Sequence, residues 1–206
     1  MGIWRRAKIA ALAALTAATL TACGSVLTDD ELSNTIFQRG SIYGPNATQD
    51  ALEHIAEIAG YSDTDAMMIR RLTLRGNNYD ISAIVSLPDD PLAYDHITSD
   101  SDEASEWGYD GDTYFFPEDL PPILFEDPNV LFKNMRDAVG DQEITGFDVT
   151  VRPEVGAIEY RDFTEETGEE MMHSPGVTLE GSVTGTRRIN ISFKFDPDTG
   201  EIIAQE

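Results

Sequence analysis

Three histidines, His54, His96 and His173, and one cysteine, Cys23, are the side chains here with the widest catalytic and metal-binding range. No two of the histidines stand four residues apart, so the HExxH zinc pattern is absent. A single thiol cannot build a cysteine-based zinc site. Gly181-Ser182-Val183-Thr184-Gly185 comes near the G-x-S-x-G nucleophile elbow, but its serine stands one place too early and lies in a strand pattern. Phosphate-cradling glycine loops are missing. Asp100-Ser101-Asp102-Glu103, with Asp110 and Asp112 beyond, supplies the hard oxygens that calcium prefers. Ala104 and Ser105 then occupy the third-ligand and glycine positions of an EF-hand loop, and the stretch reads as a solvated loop. Carboxylates are too numerous for any two to stand out as a glycosidase pair. No catalytic residue, metal, cofactor or enzymatic activity is expected.

The aromatic cluster Trp107, Tyr109, Tyr114, Phe115 and Phe116 offers another kind of chemistry. Tyrosine and tryptophan among acids make interface anchors. The same residues could instead cover the core of a sheet, and the sequence leaves both readings open.

The N-terminal residues address location. Arg5, Arg6 and Lys8 precede an Ala-, Leu- and Thr-rich run over 9–20. That is the charge order of a secretory signal, and its apolar run is too short to cross a bilayer as a helix. Leu20-Thr21-Ala22-Cys23 follows directly. This stretch resembles the lipobox of bacterial lipoproteins. The resemblance implies cleavage before Cys23, a diacylglyceryl group on its sulfur, and attachment to a membrane through that lipid on the extracytoplasmic face. Two acyl chains suffice for stable anchoring without a transmembrane helix.

Charge narrows the partners. Residues 1–22 hold three of the 14 cationic side chains and none of the 38 acidic ones, so the formal charge of −24 becomes −27 without them. Such a chain repels nucleic acid. A lipidated Cys23 leaves no thiol for a disulfide, so stability must come from a core, for which 41% hydrophobic composition is adequate.

The elements read as α+β, with helices packed on antiparallel sheet. Residues 23–46 read as a tether and lead-in, with a capping box at Thr28-Asp29-Asp30-Glu31 opening a short helix on which Leu32, Ile36 and Phe37 could face one way. A flexible tether of that length would hold the domain roughly 25–30 Å from the leaflet. Leu52, Ile55, Ala56 and Ala59 line a helix that Gly60 ends. Strands are expected over 67–74, 79–87, 92–98 and 113–116, with an acidic loop over 99–106. Pro117, Pro121 and Pro122 mark an internal boundary. A second helix, lined by Leu131, Phe132, Met135 and Val139 and ended by Gly140, precedes strands over 144–152, 157–163, 177–184 and 188–195 and a short closing one over 201–204. Glu165–Ser174 reads as an acidic loop. The halves therefore share an order, one helix followed by three or four strands, which suggests tandem units over 47–120 and 121–206.

The stretch Ile189-Asn-Ile-Ser-Phe-Lys-Phe-Asp196-Pro-Asp-Thr-Gly200-Glu-Ile202 resembles the end of a PepSY-type module. That family implies regulatory or inhibitory protein contacts rather than catalysis. The expectation is a membrane-anchored, non-catalytic binding module whose partner is an envelope protein or another envelope component. A carrier with an apolar cavity under its sheet is the main rival, and an envelope hydrolase or a calcium-dependent adhesin the lesser ones.

Overall fold

The computed structural model describes residues 28–40, 42–108, 111–154, 156, 160–163, 170–186 and 189–206. The fold is α+β. The helices are α1 (Asp29–Arg39), α2 (Ala47–Ala59), α3 (Ile123–Glu126) and α4 (Asn129–Val139). The first half supplies strands β1 (Ile69–Arg75), β2 (Ile81–Ser86), β3 (Tyr94–Thr98), β4 (Ser105–Trp107) and β5 (Thr113–Tyr114). The second supplies β6 (Ile144–Pro153), β7 (Tyr160–Phe163), β8 (Glu170–His173), β9 (Val177–Gly185), β10 (Ile189–Phe195) and β11 (Ile202–Gln205).

Eight strands form one antiparallel sheet in the order β11-β10-β9-β6-β1-β2-β3-β4. Outward from the β1–β6 seam, each half is a meander preceded by a helix, α2 in one and α4 in the other. The β7–β8 hairpin interrupts the second meander and joins β5 in a small second sheet, β5-β8-β7. At the seam Leu72 lies opposite Val151 and Leu74 opposite Val149, with Thr73 opposite Thr150 and Arg75 opposite Asp148 between and beyond them. Strand side chains alternate between faces. One face of the seam is therefore aliphatic and the other polar.

The aliphatic face carries the helices and the core. Phe147 on β6 meets Phe37 of α1 at 4.7 Å and Phe132 of α4 at 5.9 Å, and Tyr43 meets Phe132 at 5.7 Å. This row of rings joins both halves into one hydrophobic cluster. Burying each phenylalanine stabilises the fold by roughly 1.5–3 kcal/mol. Two glycines permit the close packing. A Cβ on Gly181 would stand 2.5 Å from Met135 Sδ and 2.8 Å from the Phe195 ring, so the missing side chain lets α4 settle on β9. A Cβ on Gly76 would run into the Phe147 ring.

The packed chain begins earlier than the sequence suggested. The lead-in helix forms as α1, with the Thr28–Glu31 capping box in place, and buries Ile36 and Phe37 over β6. Asn129 ties the next stretch down, its Oδ1 accepting from the Ile42 and Tyr43 amides at 2.6 and 2.9 Å. The expected loop over 99–106 ends in an edge strand, β4, which pairs with β3 and with no other described strand. All three β4 residues are exposed, so no buried alternation marked it. The expected acidic loop over 165–174 holds β8 at its end, while residues 164–169 lie outside the described ones.

Candidate functional site

None of the described helices packs on the polar face of the eight-stranded sheet. Cross-strand pairing lines up its residues in rows. One row runs Thr98, Ser82, Thr73, Thr150, Glu180, Lys194, Ala204 from β3 to β11. The next runs Arg75, Asp148, Ser182, Ser192. Among the described residues, Arg71, Arg75, Arg152 and Lys194 line hollows on this face, and the buried Arg70 lies on the same side against Ser86 and Tyr94. Asp148, Glu180 and Glu206 share the face with them, so it carries both signs of charge.

Two hollows flank the seam. The larger, about 460 Å³, lies over β6, β9, β10 and β11. Its floor has short side chains, Thr150, Ser182, Ser192 and Ala204, and its rim has long charged ones, Arg152, Glu180, Lys194 and Glu206. Glu180 and Lys194 are cross-strand neighbours, yet no ion pair forms among these four. The smaller hollow, about 50 Å³, is lined by Arg71, Thr73, Arg75, Ser82, Ile84, His96 and Trp107.

The smaller hollow has a built polar network. Arg75 reaches Asp80 Oδ2 at 3.5 Å and donates to His96 Nε2 at 3.3 Å. Arginine only donates, so Nε2 accepts and the imidazole proton sits on Nδ1. Burial, and next the Arg75 charge, hold the His96 pKa below its usual 6.5. Burial raises the carboxyls of Asp80 and Asp148 above the usual 3.8, against the opposing pull of Arg75. Arg70, 2% exposed, bonds Ser86 Oγ at 3.1 Å and lies 4.3 Å over the Tyr94 ring.

The aromatic cluster is divided. Trp107 is 40% exposed at the edge of the polar face, its ring 5.2 Å from His96. Tyr114 and Phe115 are 1% and 0% exposed, so neither presents a surface to a partner. Phe115 enters the core through a two-way backbone bridge with Ile69. Phe116 is half-buried and packs with Tyr114 and His173. Tyr109 and Cys23 lie outside the described residues.

The other candidates are occupied locally. His54 Nε2 bonds the Ser101 carbonyl at 3.0 Å, which fastens the acidic loop to α2. His173 meets Asp119 Oδ2 at 2.7 Å, while the hydroxyl of the adjacent Ser174 donates to the Glu154 and Gly176 carbonyls. Ser182 lies mid-strand, and no histidine lines its hollow. Among the described residues, no three His, Cys, Asp or Glu side chains are grouped to hold a metal.

Sequence reasoning selected the aromatics and passed over the outward half of each alternation. Arg71-Leu72-Thr73-Leu74-Arg75 and Asp148-Val149-Thr150-Val151-Arg152 carried the signal in their polar positions. No known protein family, curated protein or solved structure matches the chain.

Proposed function

We propose that the protein is a membrane-anchored extracytoplasmic lipoprotein, held through Cys23, whose open polar sheet face binds an envelope protein without catalysis. The observation that carries the reading is that face: no described helix packs on it, and Arg152, Glu180, Lys194 and Glu206 line it without an ion pair among the described residues. Eight strands at about 4.8 Å spacing span roughly 34 Å, and five residues along each strand about 17 Å. That area approaches the ~800 Å² each partner contributes to a standard protein interface. It is large for a small ligand. Polar interfaces with both charge signs favour specificity and a defined register.

Support against catalysis comes from the histidines, each bonded to a group other than a nucleophile. Support against a carrier comes from the space between sheet and helices, which Phe37, Phe132, Phe147 and Met135 fill. The reach of the anchor is shorter than a 23–46 tether would give. With α1 packed from Asp29, six residue steps separate it from Cys23, at most about 20 Å of chain. The domain therefore works close to its leaflet.

Two measurements test this. Cys23→Ala should move the protein from the membrane to the soluble fraction; retention on the membrane contradicts the anchor. Lipidated bait should enrich a protein partner from native envelope. Arg152→Glu with Lys194→Glu should abolish that enrichment while Lys133→Glu, on the helix side, leaves it intact. No enriched partner, or loss through Lys133 alone, counts against the reading.

A further inference from the structure

The contact between Arg75 and His96 holds in only one charge state. A neutral imidazole accepts from the guanidinium through Nε2, and an imidazolium has no lone pair to offer. Protonation therefore replaces a hydrogen bond with two cations in contact. The charged groups facing His96 divide by sign. Arg75 and Arg71 from β1 oppose a positive ring, and Asp80 from the β1–β2 turn favours one. Asp80 Oδ2 already faces Arg75 at 3.5 Å, Asp148 faces Arg75 from β6, and Asp100 acts on Asp80 from beyond β3. Ile84 from β2 and Trp107 from β4 complete the surroundings and carry no charge.

His96 is also where β4 is fastened. All three residues of β4 are exposed, and the strand pairs with β3 and with no other described strand. The Ser99 amide bonds the Ile81 carbonyl on the β2 side, so alternation turns the His96 backbone toward β4. There Ser105 lies opposite and donates its hydroxyl to the His96 carbonyl at 3.1 Å. The Trp107 ring rests 5.2 Å from the imidazole. On the other face Asp95 stands across from Glu106, and like charges directly opposite weaken a strand pair. The edge strand is thus short, exposed and tied down through the one residue whose bond to Arg75 depends on its charge.

We infer that His96 is an acid-operated latch: protonation parts it from Arg75, swings the ring away from the guanidinium groups, and releases β4 with Trp107 from the sheet edge. While the strand is docked, burial first, then Arg75 and Arg71, hold the His96 pKa below 6.5 against the pull of Asp80. Released, the ring regains its ordinary value. The docked form therefore loses stability as pH falls from 6.5 to the docked value, and loses no more below it. Each pKa unit between the two forms is about a tenfold change in the docking equilibrium. Release uncovers the side of the first half that Arg71, Arg75 and Trp107 line. The inference concerns β4 alone and stands apart from what binds the open face.

Hydrogen exchange of the full chain, followed residue by residue from neutral pH down to about 5 and corrected for the intrinsic pH dependence of exchange, reads the release. The Ser105 and Trp107 amides, which face β3, should lose protection by up to about tenfold per pH unit below 6.5 and then level off, while the Val149 amide of β6 stays protected. Trp4→Phe leaves Trp107 as the one tryptophan of the chain, and acrylamide, a neutral quencher, should reach it better over the same interval. His96→Gln keeps an acceptor for Arg75 and carries no charge, so both responses should vanish. Asp80→Asn removes the carboxylate that favours the imidazolium, so the pH at which protection levels off should fall. Constant protection of Ser105 and Trp107 across the whole interval overturns the inference, as do responses that persist in His96→Gln. Should His96→Gln lose its fold, a levelling point that stays put or rises in Asp80→Asn overturns it.

Discussion

The two halves of the sheet share one order of elements and finish their polar faces in opposite ways. In the first, β2 is buried at all six positions, although Ser82, Ile84 and Ser86 point away from the helices. Long side chains around them, Arg70, Arg71, Arg75 and Trp107, close over that side. In the second, β9 alternates buried and accessible residues along its whole length, and short Ser182 and Ser192 leave a basin open. The same topology thus yields a half whose outward side is closed over by long side chains and a half whose outward side is left open. The difference lies in side-chain length at equivalent outward positions, not in backbone. It teaches that arginine has two uses here: Arg70 is a structural member of the first half, and Arg152 is a surface group of the second.

The comparison can be broken at several points. The largest effect is expected where the halves meet. Phe147→Ala should cost about 3–5 kcal/mol through the cavity it leaves among Phe37, Phe132 and the sheet. Because one cluster serves both halves, chemical denaturation should remain a single transition. Two separate transitions would show that the halves fold independently.

Next in size is the arginine pair. Arg70→Ala removes a buried guanidinium from Ser86, from the carbonyls of Gly111 and Pro91, and from the Tyr94 ring, and should cost roughly 2–4 kcal/mol. Arg152→Ala should change stability by no more than about 0.5 kcal/mol. Equal costs in urea melts would erase the distinction between the halves. Gly181→Ala should fall between, at about 1–3 kcal/mol, because the new methyl meets Met135 and Phe195.

The smallest effects are in pH dependence, and they belong to the seam and the first half. Folding raises Asp80 and Asp148 above 3.8, so the folded chain holds their protons more tightly than the unfolded chain. Stability should therefore fall as pH rises from 3.8 through the folded values. Folding lowers His96 below 6.5, so the unfolded chain binds that proton more tightly, and stability should fall as pH drops from 6.5 through the folded value. Asp148→Asn should flatten the first slope and His96→Gln the second in thermal melts across pH. Lys194→Gln should leave both slopes as they are.

Much of this architecture was legible because it follows from periodicity. Leu52, Ile55 and Ala59 at helical spacing and Phe147, Val149 and Val151 at strand spacing mark core faces that the fold keeps. Gly60 ends its helix in the left-handed conformation, at φ +85°, as its position implied. What escaped has particular causes. The α1 helix carries only Ile36 and Phe37 as buried apolar groups, too few to signal docking, and its place depends on Phe147 more than a hundred residues away. The β4 strand is an exposed edge with no inward residue. The fates of Tyr114 and Phe115 turn on the bridge to Ile69, a tertiary pairing that local pattern does not encode. The open face was hidden for a similar reason. Outward residues of single strands look like ordinary solvated positions until the β1–β6 seam brings both meanders into one surface.

The central claim is that the polar sheet face, above all its second half, contacts a protein partner. Site-specific photocrosslinking in native envelope tests this most directly, with the reactive group placed at Ser192 on the open face and at Glu53 on α2 in the lipidated chain. The account predicts a discrete crosslinked protein from Ser192, lost when Arg152 and Lys194 are both changed to glutamate, and none from Glu53. A crosslink from Glu53 alone, or one from Ser192 that survives the double charge reversal, would contradict it.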